Sequence, residues 1–304
     1  MRRSGYRIAS VGRRGVTIMN EEGGELHAVV AGKVYRNITP VAGDMVEVEE
    51  NGGSPVVVKV LPRRNELKRT SPRGRVLQVI AANVDRVLAI CSLRNPPFSH
   101  DFLGRALVGA EWMGLASTVV LNKADLCTEP DEREDVSEIR AVYENAGYPV
   151  FIVSCVTGAG TGELLEHIAG KTVVMTGQSG AGKTSLAGRF VPSLDLRIGD
   201  VSPKTRTGRH TTVSARMIRL PENTYLIDTP GLRIFAIDHV PADGIPRCFP
   251  EFGKYSENCR FRNCMHLHEP GCAVKEAVKQ EKIPITRYKV YTRLVRETRE
   301  KGRF

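Results

Sequence analysis

Through the first sixty residues, apolar and polar positions alternate in short runs. The segments GYRIASVGRRGVTIMN, ELHAVVAGKVYRN, DMVEVEEN and PVVVKVLP are each bounded by Gly, Asn or Pro. That punctuation marks closely spaced strands with no helical period between them. It predicts a small all-β barrel over 1–62, of the OB type, with an SH3-like barrel as the competing form. A basic stretch, RRNELKRTSPRGRVLQ, follows at 63–78. Its charge, Pro and Gly predict a linker or an exposed arm.

From residue 79 the period changes. VDRVLAICS, STVVLN, YPVFIVSCV, KTVVMTG and TYLID are apolar, strand-like runs. Interspersed with them are the helical patterns DFLGRALVGAEWMG, EREDVSEIRAVYENAG, GELLEHIAG and GKTSLAGRF. This alternation predicts a doubly wound α/β domain with a largely parallel sheet over 79–238. A Pro-, Cys- and His-rich stretch then breaks the pattern. KEAVKQEKI and TRYKVYTRLVRETREKGRF read as basic helices, so 239–304 is expected to form a small C-terminal module.

Composition adds exclusions. With 41% hydrophobic and 26% charged residues in 304, the chain can bury a core, which excludes disorder as the main state. No 18-residue apolar run occurs, and the basic start is followed by no apolar stretch. Neither a membrane span nor a secretory signal is expected, and a cytosolic location follows. The net charge of +10 is segregated: +6 over 1–78, −2 over 79–239 and +6 over 240–304. Two basic flanks around a slightly acidic middle point to a polyanionic partner. There are seven cysteines, an odd number, and three of them crowd into 14 residues. A reducing compartment with one local metal cluster fits better than a disulfide framework.

The middle region carries the chemistry. Gly177-Gln178-Ser179-Gly180-Ala181-Gly182-Lys183-Thr184, followed by Ser185, fits G-x-x-x-x-G-K-[ST] between an apolar strand and a helix. The glycines let backbone N–H groups turn inward around phosphate, and the helix adds its positive N-terminus. Lys183 is placed to reach the terminal phosphates and Thr184 to ligate Mg²⁺. Asn122-Lys123-Ala124-Asp125 selects the base. The Asp125 carboxylate can accept from both N1–H and the 2-amino group of guanine, and adenine offers no such pair. Ser154-Cys155 matches the Ser-Ala segment whose backbone amide caps guanine O6, with Cys at the Ala position. Asp228-Thr229-Pro230-Gly231 is D-x-x-G, in which Asp228 orients Mg²⁺ through water and the Gly231 N–H meets the γ-phosphate. Thr211 or Thr212 is the switch threonine that closes on the metal.

The order of these motifs is unusual. NKAD and Ser-Cys precede the phosphate loop, whereas ordinary GTPases place the phosphate loop first. The same sheet must therefore be circularly permuted. Leu232 stands where many GTPases carry the Gln that orients water, and leucine has no polar atom for the task. Slow intrinsic hydrolysis is expected, with His210 as the best internal candidate for positioning water.

Barrel, permuted GTPase and Cys/His module, carried by NKAD, GQSGAGKTS, GRHTT, DTPGLR and C-x4-C-x-H-x5-C, resemble the RsgA/YjeQ family over essentially the whole chain. The resemblance implies a bacterial cytoplasmic GTPase that binds the 30S ribosomal subunit during late maturation, contacts 16S rRNA, and is stimulated by that subunit. A monomer is expected. The alternative is a GTP-dependent rRNA-binding assembly module whose hydrolysis is incidental. Cys259, Cys264 and Cys272 with one imidazole form a Cys3His set suited to one structural Zn²⁺. His266 and His268 both lie near enough to complete it, and the family spacing implies His266.

Overall fold

A computed structural model describes residues 2–70, 77–191, 215–229, 237 and 239–301. Five strands build the barrel: β1 (Arg2–Val11), β2 (Val16–Met19), β3 (Glu25–Val30), β4 (Met45–Asn51) and β5 (Ser54–Val60). Their order is β1-β2-β3-β5-β4, and β4 pairs back onto β1 to close it. Only the β3–β5 ladder is parallel. Ile8, Val16, Ile18, Val46, Val48 and Val57 fill the interior, as the strand alternation requires. The segment ELHAVVAGKVYRN is not extended throughout: its second half is helix α1 (Gly32–Asn37). One turn of helix lets Val34 reach the barrel core while Lys33, Tyr35 and Arg36 stay exposed.

The basic stretch at 63–78 departs from the expected linker. Strand β6 (Glu66–Thr70) pairs antiparallel with β7 (Leu77–Ala82). Arg63 is a buried bracket rather than a free cation. Its guanidinium donates to both Asp44 carboxylate oxygens, at 2.7 and 2.9 Å, to Glu66 at 2.9 Å and to the Thr39 carbonyl at 2.8 Å. Gly43, with φ +91°, lies against this joint; a Cβ there would sit 2.1 Å from the Ala82 carbonyl oxygen. The close approach permits the 2.9 Å bond from the Ala82 N–H to the Ala42 carbonyl.

The α/β portion runs β8 (Arg86–Ser92), α2 (His100–Trp112), β9 (Ala116–Asn122), α3 (Pro130–Asn145), β10 (Val150–Val153), α4 (Thr161–His167), β11 (Thr172–Gly177), α5 (Lys183–Phe190), β12 (Arg216–Leu220) and β13 (Thr224–Asp228). The sheet order is β10-β9-β8-β11-β13-β12, parallel except for β12. Strand β12, unexpected from the sequence, forms a hairpin with β13 and touches β1 through Ser10 and Arg216. Alternate residues feed two cores. Val87, Ala89 and Leu121 face α2 and α3, while Leu88, Ile90 and Val120 face α4 and α5. Burial on both faces explains why these strands read as continuous apolar runs.

The C-terminal module consists of a 3-10 turn at Ile245–Cys248, then α6 (Pro250–Ser256), α7 (Ala273–Lys279) and α8 (Ile285–Lys301). Phe249, Phe252, Val274, Tyr291 and Leu294 form its core. Helix α8 lies so close to α2 that a Cβ on Gly104 would sit 2.3 Å from Val290. Arg287 of α8 is fully buried against Glu251, at 2.6 Å, and its guanidinium carbon lies 5.5 Å from the Tyr143 ring and 5.7 Å from the Tyr148 ring. That contact ties the C-terminal module to the α/β portion.

Candidate nucleotide and metal sites

Strand register brings three separated motifs to one edge. Gly177 pairs with Ile90, and Asn122 pairs with both Ser92 and Val153, so their loops leave the sheet side by side. All sit at the carboxyl ends of parallel strands, where open α/β sheets bind ligands. The phosphate loop turns through Gly180 and Gly182, with φ +78° and +93°. A Cβ on Gly182 would lie 2.1 Å from the Asn122 amide nitrogen, so only glycine admits the contact that follows. Asn122 Nδ2 donates to the Ala181 carbonyl at 2.8 Å, and Asn122 Oδ1 accepts from the Cys155 N–H at 3.4 Å. One side chain thus joins all three motifs.

The neighbouring bonds stiffen this arrangement. Ser154 Oγ donates to Asp125 at 2.5 Å and accepts from the Val156 and Thr157 N–H groups at 3.2 and 3.1 Å. Lys123 takes a left-handed conformation, φ +67°, and its ammonium donates to the Asn95 carbonyl. Lys183 arches over the phosphate loop and donates to the carbonyls of Gly177 and Gln178 at 2.6 and 2.9 Å. Burial pushes the Asp228 carboxyl above its ordinary range, opposed by the Lys183 charge and the Thr229 backbone. Among the described residues, the buried oxygens of Thr176, Gln178 and Thr229 have no hydrogen-bond partner, which fits a polar ligand here. Thr184 and Ser185 are exposed on the first turn of α5. Gly231, Leu232, His210, Thr211 and Thr212 lie outside the described residues.

A second site forms in the C-terminal module. The ligand atoms of Cys259, Cys264, His266 and Cys272 all lie within 4.8 Å of one another. His266 Nδ1 is 3.6 Å from the Cys259 sulfur and 3.4 Å from that of Cys272, and those sulfurs are 3.9 Å apart. A tetrahedral zinc with bonds of about 2.0–2.3 Å has edges of about 3.5–3.8 Å, so the donor set fits the ion. His268 is outside the cluster. Its N–H, with those of Met265 and Leu267, donates to the Glu269 carboxylate at 2.8–3.0 Å. Although burial opposes ionisation, these backbone donors hold Glu269 below the usual carboxylate range. Tyr288 donates to the His266 carbonyl at 2.7 Å, fixing the ligand loop to α8. Sequence reasoning missed Glu269 and Tyr288, because backbone partners leave no motif.

Comparison with known proteins decides the family. The RsgA GTPase family model matches residues 60–238. The chain belongs to the RsgA GTPase family. The protein of Pseudomonas aeruginosa named small ribosomal subunit biogenesis GTPase RsgA is 40% identical over 84% of this chain and 75% of its own. Its Shewanella oneidensis counterpart is 38% identical over 88% and 77%. Crystallised YjeQ from Thermotoga maritima superposes with a TM-score of 0.83 at 32% identity, covering 98% and 99% of the two chains. YloQ, described as a circularly permuted GTPase, gives 0.78 at 25% identity, covering 98% and 96%. The permuted order read from the motifs is therefore a property of this fold, and GTP hydrolysis is the family's reaction. Among the described residues, no helix is long and apolar enough to cross a membrane.

Proposed function

We propose that this chain binds and hydrolyses GTP in the cleft between the phosphate loop and the NKAD loop, in the service of small ribosomal subunit biogenesis. The carrying observation is the Asn122 side chain, which bridges Ala181 and Cys155 and so fixes the phosphate cradle relative to the base loop. In this reading the residues from Gly177 to Ser185 surround the triphosphate and Lys183 neutralises its terminal charge. Asp125 accepts from the guanine N1–H and 2-amino group, and the Cys155 N–H passes from Asn122 Oδ1 to O6, leaving the Asn122 bond to the Ala181 carbonyl in place. Thr184 and Asp228 would hold Mg²⁺, with Thr211 or Thr212 closing over it, and the ion would supply charge neutralisation at the β- and γ-phosphates. Gly231 meets the γ-phosphate and His210 positions water. Zn²⁺ on Cys259, Cys264, His266 and Cys272 stabilises the C-terminal module.

The partner in this reading is the 30S subunit through 16S rRNA, and the location is the cytoplasm; the small-subunit role printed for the relatives supports the link to that subunit. Exposed Arg14, Lys33 and Arg36 on the barrel and Arg296 on α8 supply cations that rRNA phosphates would meet. Asp125→Asn tests the base assignment. The amide presents a donor to guanine N1–H yet pairs with the xanthine 2-oxygen, so affinity should move from GTP toward XTP. Competition binding that shows equal loss for both nucleotides removes Asp125 from base reading.

A further inference from the structure

The loop after β10 spends most of its backbone N–H groups on itself. The Ser154 N–H reaches the Ala159 carbonyl at 3.0 Å, the Gly158 N–H reaches the Ser154 carbonyl at 2.8 Å, and the Val156 and Thr157 N–H groups converge on Ser154 Oγ. Cys155 differs. Its N–H makes the longest of these contacts, 3.4 Å to Asn122 Oδ1, and so is the donor most readily given to a ligand oxygen. The opposite face of the loop is held from outside. Arg189, on the last turn of α5, donates through Nε to the Cys155 carbonyl at 2.6 Å and through a terminal nitrogen to the Val156 carbonyl. Gly158, with φ +88°, leaves room beside the same guanidinium.

We propose that Arg189 is a positioning residue for base recognition, clamping the Cys155 and Val156 carbonyls so that the Cys155 N–H stays aimed at guanine O6. The proposal rests on the GTP reading above. Its physical basis is the planar guanidinium fork, which fixes the two peptides following Cys155. The peptide carrying the Cys155 N–H is held on its other side by the Gly158 N–H, which donates to the Ser154 carbonyl at 2.8 Å, so residue 155 is pinned at both ends. Helix α5 begins at Lys183 of the phosphate loop and ends beside Arg189. One rigid element therefore holds the triphosphate cradle at its start and the base loop at its end. Asn122 supplies the same link from the other side of the cleft.

The test uses the full chain with Mg²⁺ and competition binding by GTP, ITP and 6-thio-GTP. ITP lacks the 2-amino group that Asp125 reads, and 6-thio-GTP replaces O6 with the weaker acceptor sulfur. In Arg189→Ala the preference for GTP over 6-thio-GTP should fall about three- to tenfold, the range of one net hydrogen bond. The preference for GTP over ITP should stay at the wild-type value. Arg189→Lys should recover part of the loss, since an ammonium can still reach one carbonyl. Should Arg189→Ala fail to fold, Arg189→Lys and Arg189→Gln carry the same comparison. Preferences that fall together, or that do not move, overturn the positioning role. A wild-type protein indifferent between GTP and ITP overturns the guanine reading itself, a result distinct from the first.

Discussion

Arg287 and Glu251 form an ion pair at 2.6 Å in which both side chains are almost fully buried, 1% and 4% exposed. The guanidinium also lies 4.6 Å over the Phe249 ring and faces Tyr143 and Tyr148 of the α/β portion. A pair so placed holds α8, α6 and α3 in one arrangement.

Removing one partner strands a buried charge. Glu251→Leu should destabilise the protein by about 3–5 kcal/mol, and adding Arg287→Met should recover most of that loss. Denaturant unfolding of the four members of the cycle measures this. Losses that simply add would show that the two residues do not act as a pair.

Asp228 makes stability depend on pH. Its carboxyl is raised above 3.8 by burial, partly offset by Lys183. The native state therefore holds the proton more tightly than the unfolded chain. Stability falls as pH rises from about the unfolded value through the native one, and the cost persists at neutral pH. Asp228→Asn should raise the Tm of the nucleotide-free protein by about 2 °C at pH 7, a gap that closes toward pH 4. GTP hydrolysis should meanwhile fall about 10–100-fold, the scale of a lost metal-orienting group. A variant with unchanged Tm and unchanged turnover would remove Asp228 from the magnesium site.

Much of the fold and of the candidate site could be read from local pattern. The phosphate loop and NKAD are contiguous, and their glycines and Asp are dictated by chemistry at fixed spacing. The bridging role of Asn122 is not local. It depends on the register that sets Asn122 beside Val153 and near Ala181, which only the assembled sheet supplies. The linker expectation failed for the same reason. Arg63 looks like one more solvated cation until Asp44, 19 residues earlier, folds against it. Helix α1 escaped because a six-residue segment with Val34 as its one buried residue has too little periodicity to stand out from a strand.

Metal loss should act locally first. Cys264→Ser should abolish stoichiometric zinc, measured by metal analysis of the purified protein, and unprotect α7 and the ligand loop in hydrogen exchange. GTP affinity should change less than about threefold, since none of the hydrogen bonds among the described residues joins the phosphate or base loops to this cluster. Retention of one zinc per chain would exclude Cys264 from the ligand set.

We propose that turnover by this GTPase answers to the small ribosomal subunit. GTP hydrolysis by the purified protein, measured alone and with 30S subunits at low salt, tests it most directly. Slow turnover is expected alone, because Leu232 offers no atom to orient water, with a rise of about tenfold or more when subunits supply the missing contact. A rate unchanged by saturating subunits would contradict it and favour an rRNA-binding assembly module whose hydrolysis is incidental.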